Sequence, residues 1–131
     1  MYKRHKWCAK LGSEVNHMLE ISLEFRKGIL FVRLMGELTK DTVYKLERDV
    51  TNLILEQGIH NVVFNVSGLS QIDLKGIHGL FHSYEMTHQN QGKSLLCGLE
   101  SGEVKERIKR SRLLQYMCET NDELSAFSVI E

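Results

Sequence analysis

Proline is absent from all 131 residues, an unusual lack that by itself assigns no function. Net charge is absent too. Seventeen Lys and Arg balance seventeen Asp and Glu, so charge alone favours no class of partner. Cysteine is scarce: Cys8, Cys97 and Cys118 are widely spaced with no CxxC. That excludes a disulfide framework and leaves free thiols in a reducing cytoplasm as the expectation. Cys97, inside the apolar run LLCGL, is expected to be a small core residue. No stretch approaches the roughly 20 apolar residues that cross a bilayer, so no membrane insertion is expected. Repeats and low-complexity tracts are missing. Catalytic signatures are missing as well: no GxSxG, HExxH, GxxxxGK[ST] or GxGxxG occurs. Neither an activated nucleophile nor a nucleotide loop is announced, and the chain is not expected to be an enzyme.

What is present fits one domain, since a chain of this size buries roughly two-thirds of its unfolded surface. Residues 1–17, MYKRHKWCAKLGSEVNH, are basic and aperiodic. They read as an N-terminal extension, disordered or docked through Trp7, with regular structure from Met18 and the domain spanning 18–131. LEISLEF (19–25) alternates as a half-buried strand does, and ILFVRLM (29–35) reads as a central strand buried on both faces. The RKG turn, with Gly28 free to take positive φ, joins them as a hairpin. From Thr39 the period becomes helical, with Val43, Leu46, Val50, Leu53 and Ile54 on one face. Thr39 is the expected N-cap and Gly58 the stop. A strand over 60–66, the loop SGLSQI and a helix from about 74 to 90 follow. That helix is expected to turn Leu74, Ile77, Phe81 and Tyr84 inward and to end at Gly92. SLLCGL (94–99) is a further buried strand. Residues 101–110 read as a helix capped by Ser101, 113–118 as a short strand or turn, and 121–130 as a helix capped by Asn121 or Asp122. The order ββαβαβα(β)α implies a partly parallel, helix-covered sheet.

Three features bear on chemistry. His78 and His82 lie four apart with Glu85 one turn on, a spacing that suits a divalent ion. No third ligand is evident in sequence, and these positions fit a helix surface better; neither metal nor cofactor is expected. KERIKRSR (105–112) carries five cations, but Glu103 and Glu106 interleave and no aromatic pattern accompanies them. A solvated helix face is therefore expected rather than a nucleic-acid site. The third feature is SQIDLKGIHGLF, from residue 70. An Asp N-cap with Gly three residues later exposes backbone N–H groups after a buried strand, a suitable place for an anion or a regulatory phosphate.

RLMGELTKDTVYKLERDV, HNVVFNVSGLSQIDLKGIHGL, GKSLLCGL and VKERIKRSRLLQYM, in this order, resemble the signatures of a STAS domain over about 19–130. The stand-alone bacterial anti-sigma factor antagonists of sporulation and general stress are the most similar type. The resemblance implies an α/β fold: a four- to five-stranded mixed sheet covered by about four helices. It implies binding to an anti-sigma factor of the serine-kinase type, which frees the sigma factor. In that family the kinase ends binding by phosphorylating a serine directly after the Asp of a D-[ST]-[ST]-G-[LI] motif. Here the motif reads Asp73–Leu74–Lys75–Gly76–Ile77, so the acceptor position holds Leu74. Thr39 stands where many relatives carry an Asp after the GEL turn. The expectation is an antagonist without the usual switch, with Ser67 and Ser70 as weaker substitute acceptors. The expected partner surface comprises Thr39, Ser70, Asp73, Leu74, Lys75, Gly76, His78 and His82, on a monomer or weak homodimer. The alternatives are a structural STAS subunit of a larger signalling or transport complex, and an anion- or nucleotide-binding STAS domain.

Overall fold

A computed structural model describes residues 4–6, 18–100 and 102–130. Strands β1 (Arg4–Lys6), β2 (Leu19–Arg26), β3 (Ile29–Leu38), β4 (Asn61–Ile72), β5 (Lys93–Cys97) and β6 (Cys118–Thr120) form one sheet in sequential order. The first three run antiparallel, and β3 to β6 run parallel. Parallel neighbours need crossovers, which the helices supply. The β3–β4 crossover is α1 (Val43–Leu46), a π-helical turn (Glu47–Thr51) and α2 (Asn52–Gln57). Helix α3 (Leu74–Gln89) joins β4 to β5, and α4 (Glu103–Arg110) with a 3-10 turn (Leu113–Gln115) joins β5 to β6. Helix α5 (Glu123–Ile130) closes the described chain. The expected mixed α/β sheet is present. Of the extension 1–17, only Arg4–Lys6 is described, as a short edge strand; Trp7 and Cys8 lie outside the described residues.

Period-two alternation sorts the strand residues onto two faces. Leu30, Val32 and Leu34 of β3, and Val62, Phe64 and Val66 of β4, pack under Leu46, Val50, Ile54, Leu80 and Ile108 of the helices. Ile29, Phe31, Val63, Leu95 and Cys97 face the other way, against Ala126, Phe127 and Ile130 of α5. Strand β3 is thus buried on both faces over 29–32, as its apolar run requires. Burial pushes the Cys97 thiol up to about 12, helped by Glu123 and Asp122.

Arg33 breaks that apolar run on the α5 side. Its Nε and Nη2 donate to the two carboxylate oxygens of Glu123, each at 2.8 Å, and Nη2 also donates to Glu24 at 2.8 Å. Asn65 donates to the same Glu123 at 2.8 Å. These bonds join β2, β3, β4 and α5 through one guanidinium. They hold Glu123 below the usual carboxylate range, chiefly through Arg33, and raise Arg33 in turn.

Three boundaries differ from expectation. Residues 67–72 are strand, not loop: Gly68, Leu69, Gln71 and Ile72 pair with the end of β3 through two register shifts. The extra residues of such bulges break the period-two pattern, which is why SGLSQI reads as a loop. Thr39 caps a tight turn one step before regular helix begins at Val43: its hydroxyl accepts from Asp41 N–H at 3.3 Å and its carbonyl from Val43 N–H at 2.8 Å. Residues 39–42 form a tight turn in which the Thr42 hydroxyl accepts from Thr39 N–H (3.0 Å) and donates to the Glu37 carbonyl (2.7 Å). Helix α4 starts from Gly102, at φ 124° and with no side-chain cap; Ser101 lies outside the described residues. Gly58 does stop α2, in the left-handed region at φ 62°. Asp122 caps α5, accepting from Ser125 N–H at 2.8 Å.

Candidate functional site

The carboxyl end of β4 delivers Asp73 to the start of α3. Its extended backbone and short acidic side chain suit an N-cap, and Oδ1 accepts from Gly76 N–H at 2.9 Å. The second oxygen leaves the helix: Oδ2 accepts from Lys40 N–H at 2.9 Å, in the turn after β3. Asp73 N–H also donates to the Leu38 carbonyl at 3.3 Å. One residue therefore caps α3 with one bond and fastens its start to the 38–40 turn with two more. Gly76 makes this approach possible, because a Cβ there would collide with the Leu38 carbonyl.

The expected surface residues divide into two groups. Leu74 is 63 % exposed, and Lys75, His78 and His82 are exposed along α3. Thr39 is only 7 % exposed and Gly76 is buried, so both shape the surface from beneath rather than form it. Asp73 is half-buried and spent on its hydrogen bonds. Ser70 is exposed on β4, with its hydroxyl donating to the Gly36 carbonyl at 3.1 Å. Ser67 lies on the same strand and donates to Asn65 Oδ1 at 2.8 Å.

Leu74 is a correction, since its i, i+3, i+7 spacing with Ile77 and Phe81 reads as inward. The fully buried residues of α3 are Gly76, Ile77, Gly79, Leu80, Ser83 and Thr87, with Phe81 and Tyr84 partly buried against the core. The Ser83 hydroxyl shares a buried 2.8 Å bond with Thr51 of the π turn. Helix α3 is thereby rotated toward α1–α2, and the Leu74 edge is left open beside α4. His82 Nδ1 sits 2.8 Å from a Glu47 carboxylate oxygen, again on the π turn. His82 thus bridges two helical segments. Among the described residues no group of three His, Cys, Asp or Glu is placed to hold a metal ion.

Sequence reasoning missed Arg107 and Arg110. The fold brings them, with Ser111, against Leu74 and Ile77 around a surface groove of about 300 Å³. The basic run of α4 was their only signal in sequence, and it reads equally well as a solvated face. Among the described residues no helix is long and apolar enough to cross a membrane.

Residues 20–126 match the STAS domain family. An anti-sigma F factor antagonist of Paenibacillus polymyxa is 25% identical over 113 residues, covering 86% of this chain and 96% of the relative. An anti-sigma factor antagonist from Mycobacterium paratuberculosis shares the fold at a TM-score of 0.76 and 16% identity, over 86% of this chain and 93% of that one. The Bacillus cell fate determinant SpoIIAA, in its phosphorylated form, does so at 0.65 and 20% identity, over 83% and 98%. With its six-stranded mixed sheet, its Asp-capped α3 and this span of matched residues, the chain belongs to the STAS domain family.

Proposed function

We propose that this chain is an anti-sigma factor antagonist that works by binding alone, without the serine switch of its relatives. The observation that carries the reading is the start of α3. Asp73 caps it and so fixes the place of the next residue, which is Leu74, 63 % exposed. The side chain presented where the resemblance places the acceptor has no hydroxyl. A phosphoserine would add about −1.5 to −2 charges at this point, whereas Lys75 adds a positive one. The surface stays apolar and cationic whatever kinase is present.

The partner in this reading is an anti-sigma factor of the serine-kinase type, met in the bacterial cytoplasm and gripped through Leu74, Lys75, His78 and His82. Thr39, Asp73 and Gly76 hold that surface in shape, and Ser70 borders it. The chain performs no catalysis, and it acts as a monomer or weak homodimer controlled by abundance or by its partner's own state. Mixing the purified chain with such an anti-sigma factor, ATP and Mg²⁺ tests this. The expected result is a complex on size exclusion, with the chain's intact mass unchanged. Gain of one phosphate between residues 67 and 75 refutes the missing switch. Absence of any complex refutes the partner, and a discrete large homo-assembly by light scattering favours a scaffold subunit instead.

A further inference from the structure

The groove beside Leu74 combines two chemistries. Its floor is apolar, from Leu74 and Ile77, and its wall is α4, from which Arg107 and Arg110 project, with Ser111 closing the end. Arg107 is partly satisfied by Glu103 at 3.1 Å. Among the described residues no hydrogen bond or ion pair engages the Arg110 guanidinium. The Ser111 hydroxyl is occupied, donating to the Ile108 carbonyl at 2.7 Å. At about 300 Å³ the groove lies at the floor of the ~300–1,000 Å³ range of small-molecule sites, so it fits a side chain or two rather than a cofactor. Further along α3 the edge is aromatic. Phe81 meets Tyr116 edge-on at 5.1 Å, and Tyr84 lies 5.5 Å from the same ring. Tyr116 remains 50 % exposed.

We infer that this groove receives a carboxylate and a neighbouring aliphatic side chain from an acidic segment of the partner protein. Charge complementarity chooses that occupant. A planar guanidinium takes a carboxylate by two parallel bonds, while the exposed Leu74 offers nothing to a charge and a desolvated seat to a methyl group. A bare anion would leave Leu74 in water; a purely apolar segment would leave Arg110 uncompensated beneath it. The inference rests on the binding-alone reading above and names the chemistry its partner must carry. Leu74 then marks the apolar half of an anchor whose polar half comes from a helix 36 residues further on.

The chemistry is tested first without any anti-sigma factor. The full chain is titrated by NMR with acetyl-Glu-Leu-Asp-Leu-amide, with its Gln/Asn counterpart, and with inorganic phosphate. Saturable shifts of the Leu74 methyls together with the Arg110 side chain, for the acidic peptide alone, are the expected result. Equal response to both peptides, no response, or phosphate reproducing the Arg110 shifts with Leu74 unmoved overturns the inference. Use of the groove is tested by binding to a serine-kinase anti-sigma factor. R110E is expected to weaken it roughly tenfold or more, and K93E, the same charge change at the start of β5, beyond the far end of the about 24 Å long α3, less than twofold. Equal loss in both variants, or loss in neither, overturns the groove's role while leaving the partner assignment intact. If the wild type binds no such factor, the proposed function fails and the peptide titration alone decides the groove.

Discussion

Replacing Asp73 should separate the two tasks its oxygens perform. Ala at this position removes the acceptors of Gly76 N–H and Lys40 N–H, each now 2.9 Å away. Loss of an N-cap costs about 1 kcal/mol, within a range of ~0.5–2. The second bond is exposed and adds about 0.5–1 kcal/mol, so D73A should lose roughly 2 kcal/mol in all. Asn keeps the cap, being as good as Asp at that position. Its amide nitrogen, however, meets Lys40 N–H donor to donor, so D73N should lose only about 0.5–1 kcal/mol. Urea unfolding followed by circular dichroism resolves the difference. The midpoint of D73A should fall on the order of 1 M with an unchanged slope, and that of D73N by less than half as much. Anti-sigma binding should weaken in the same order, because fraying the first turn of α3 displaces Leu74 and Lys75. A D73A midpoint equal to wild type, or D73N less stable than D73A, would refute the division of labour.

Further outcomes follow from the same structure. Gly76→Ala gains helix propensity of about 1 kcal/mol, but its Cβ meets the Leu38 carbonyl. A net loss of up to about 2 kcal/mol in chemical unfolding is expected, since overpacking costs typically ~1–3 kcal/mol. Leu74→Ser restores a hydroxyl after the capping Asp; this variant should gain one phosphate from a serine-kinase anti-sigma factor and ATP, by intact mass, where wild type gains none. Glu123 is held below its ordinary range by Arg33, so its stabilisation is complete above the unfolded carboxylate value of ~4.3. It is lost as pH falls through the lower folded value. E123Q should therefore be less stable than wild type by about 1–2 kcal/mol near pH 7, with the gap closing below about pH 4. Cys118 is exposed and Cys97 buried, with its thiol pushed up to about 12. Iodoacetamide at pH 8 should label Cys118 in the native protein and Cys97 only on unfolding, as peptide mapping will show.

The hairpin, the amphipathic crossover and the Asp-x-x-Gly helix start were legible because each is written in local periodicity. Leu19–Arg26 alternates, Val43 to Ile54 repeats at helical spacing, and Asp73 precedes its helix by one residue. What stayed illegible is non-local. Arg33 sits in an apolar strand with one partner close by, Glu24 across the hairpin, but the partner that takes both its Nε and Nη2, Glu123, is 90 residues away. Residues 67–72 continue β4 only because the end of β3 waits beside them, and the two register shifts disguise their alternation. Leu74 has the spacing of a core residue, but burial at a helix's first turn depends on which neighbour reaches it. Here α4 reaches it with arginines and leaves a groove.

The double grip of Asp73 also has a dynamic meaning. Lys40 and Gly76 lie in different crossovers, yet their amide hydrogens end on one carboxylate. A turn of that one side chain releases both amides together, so the carboxylate couples their openings. In native-state hydrogen exchange D73A should speed both amides, whereas D73N, which keeps the cap, should speed Lys40 more than Gly76. A partner that touches only α3 would then slow exchange at Lys40 without approaching it, and the turn after β3 becomes a built-in reporter of occupancy at the helix start.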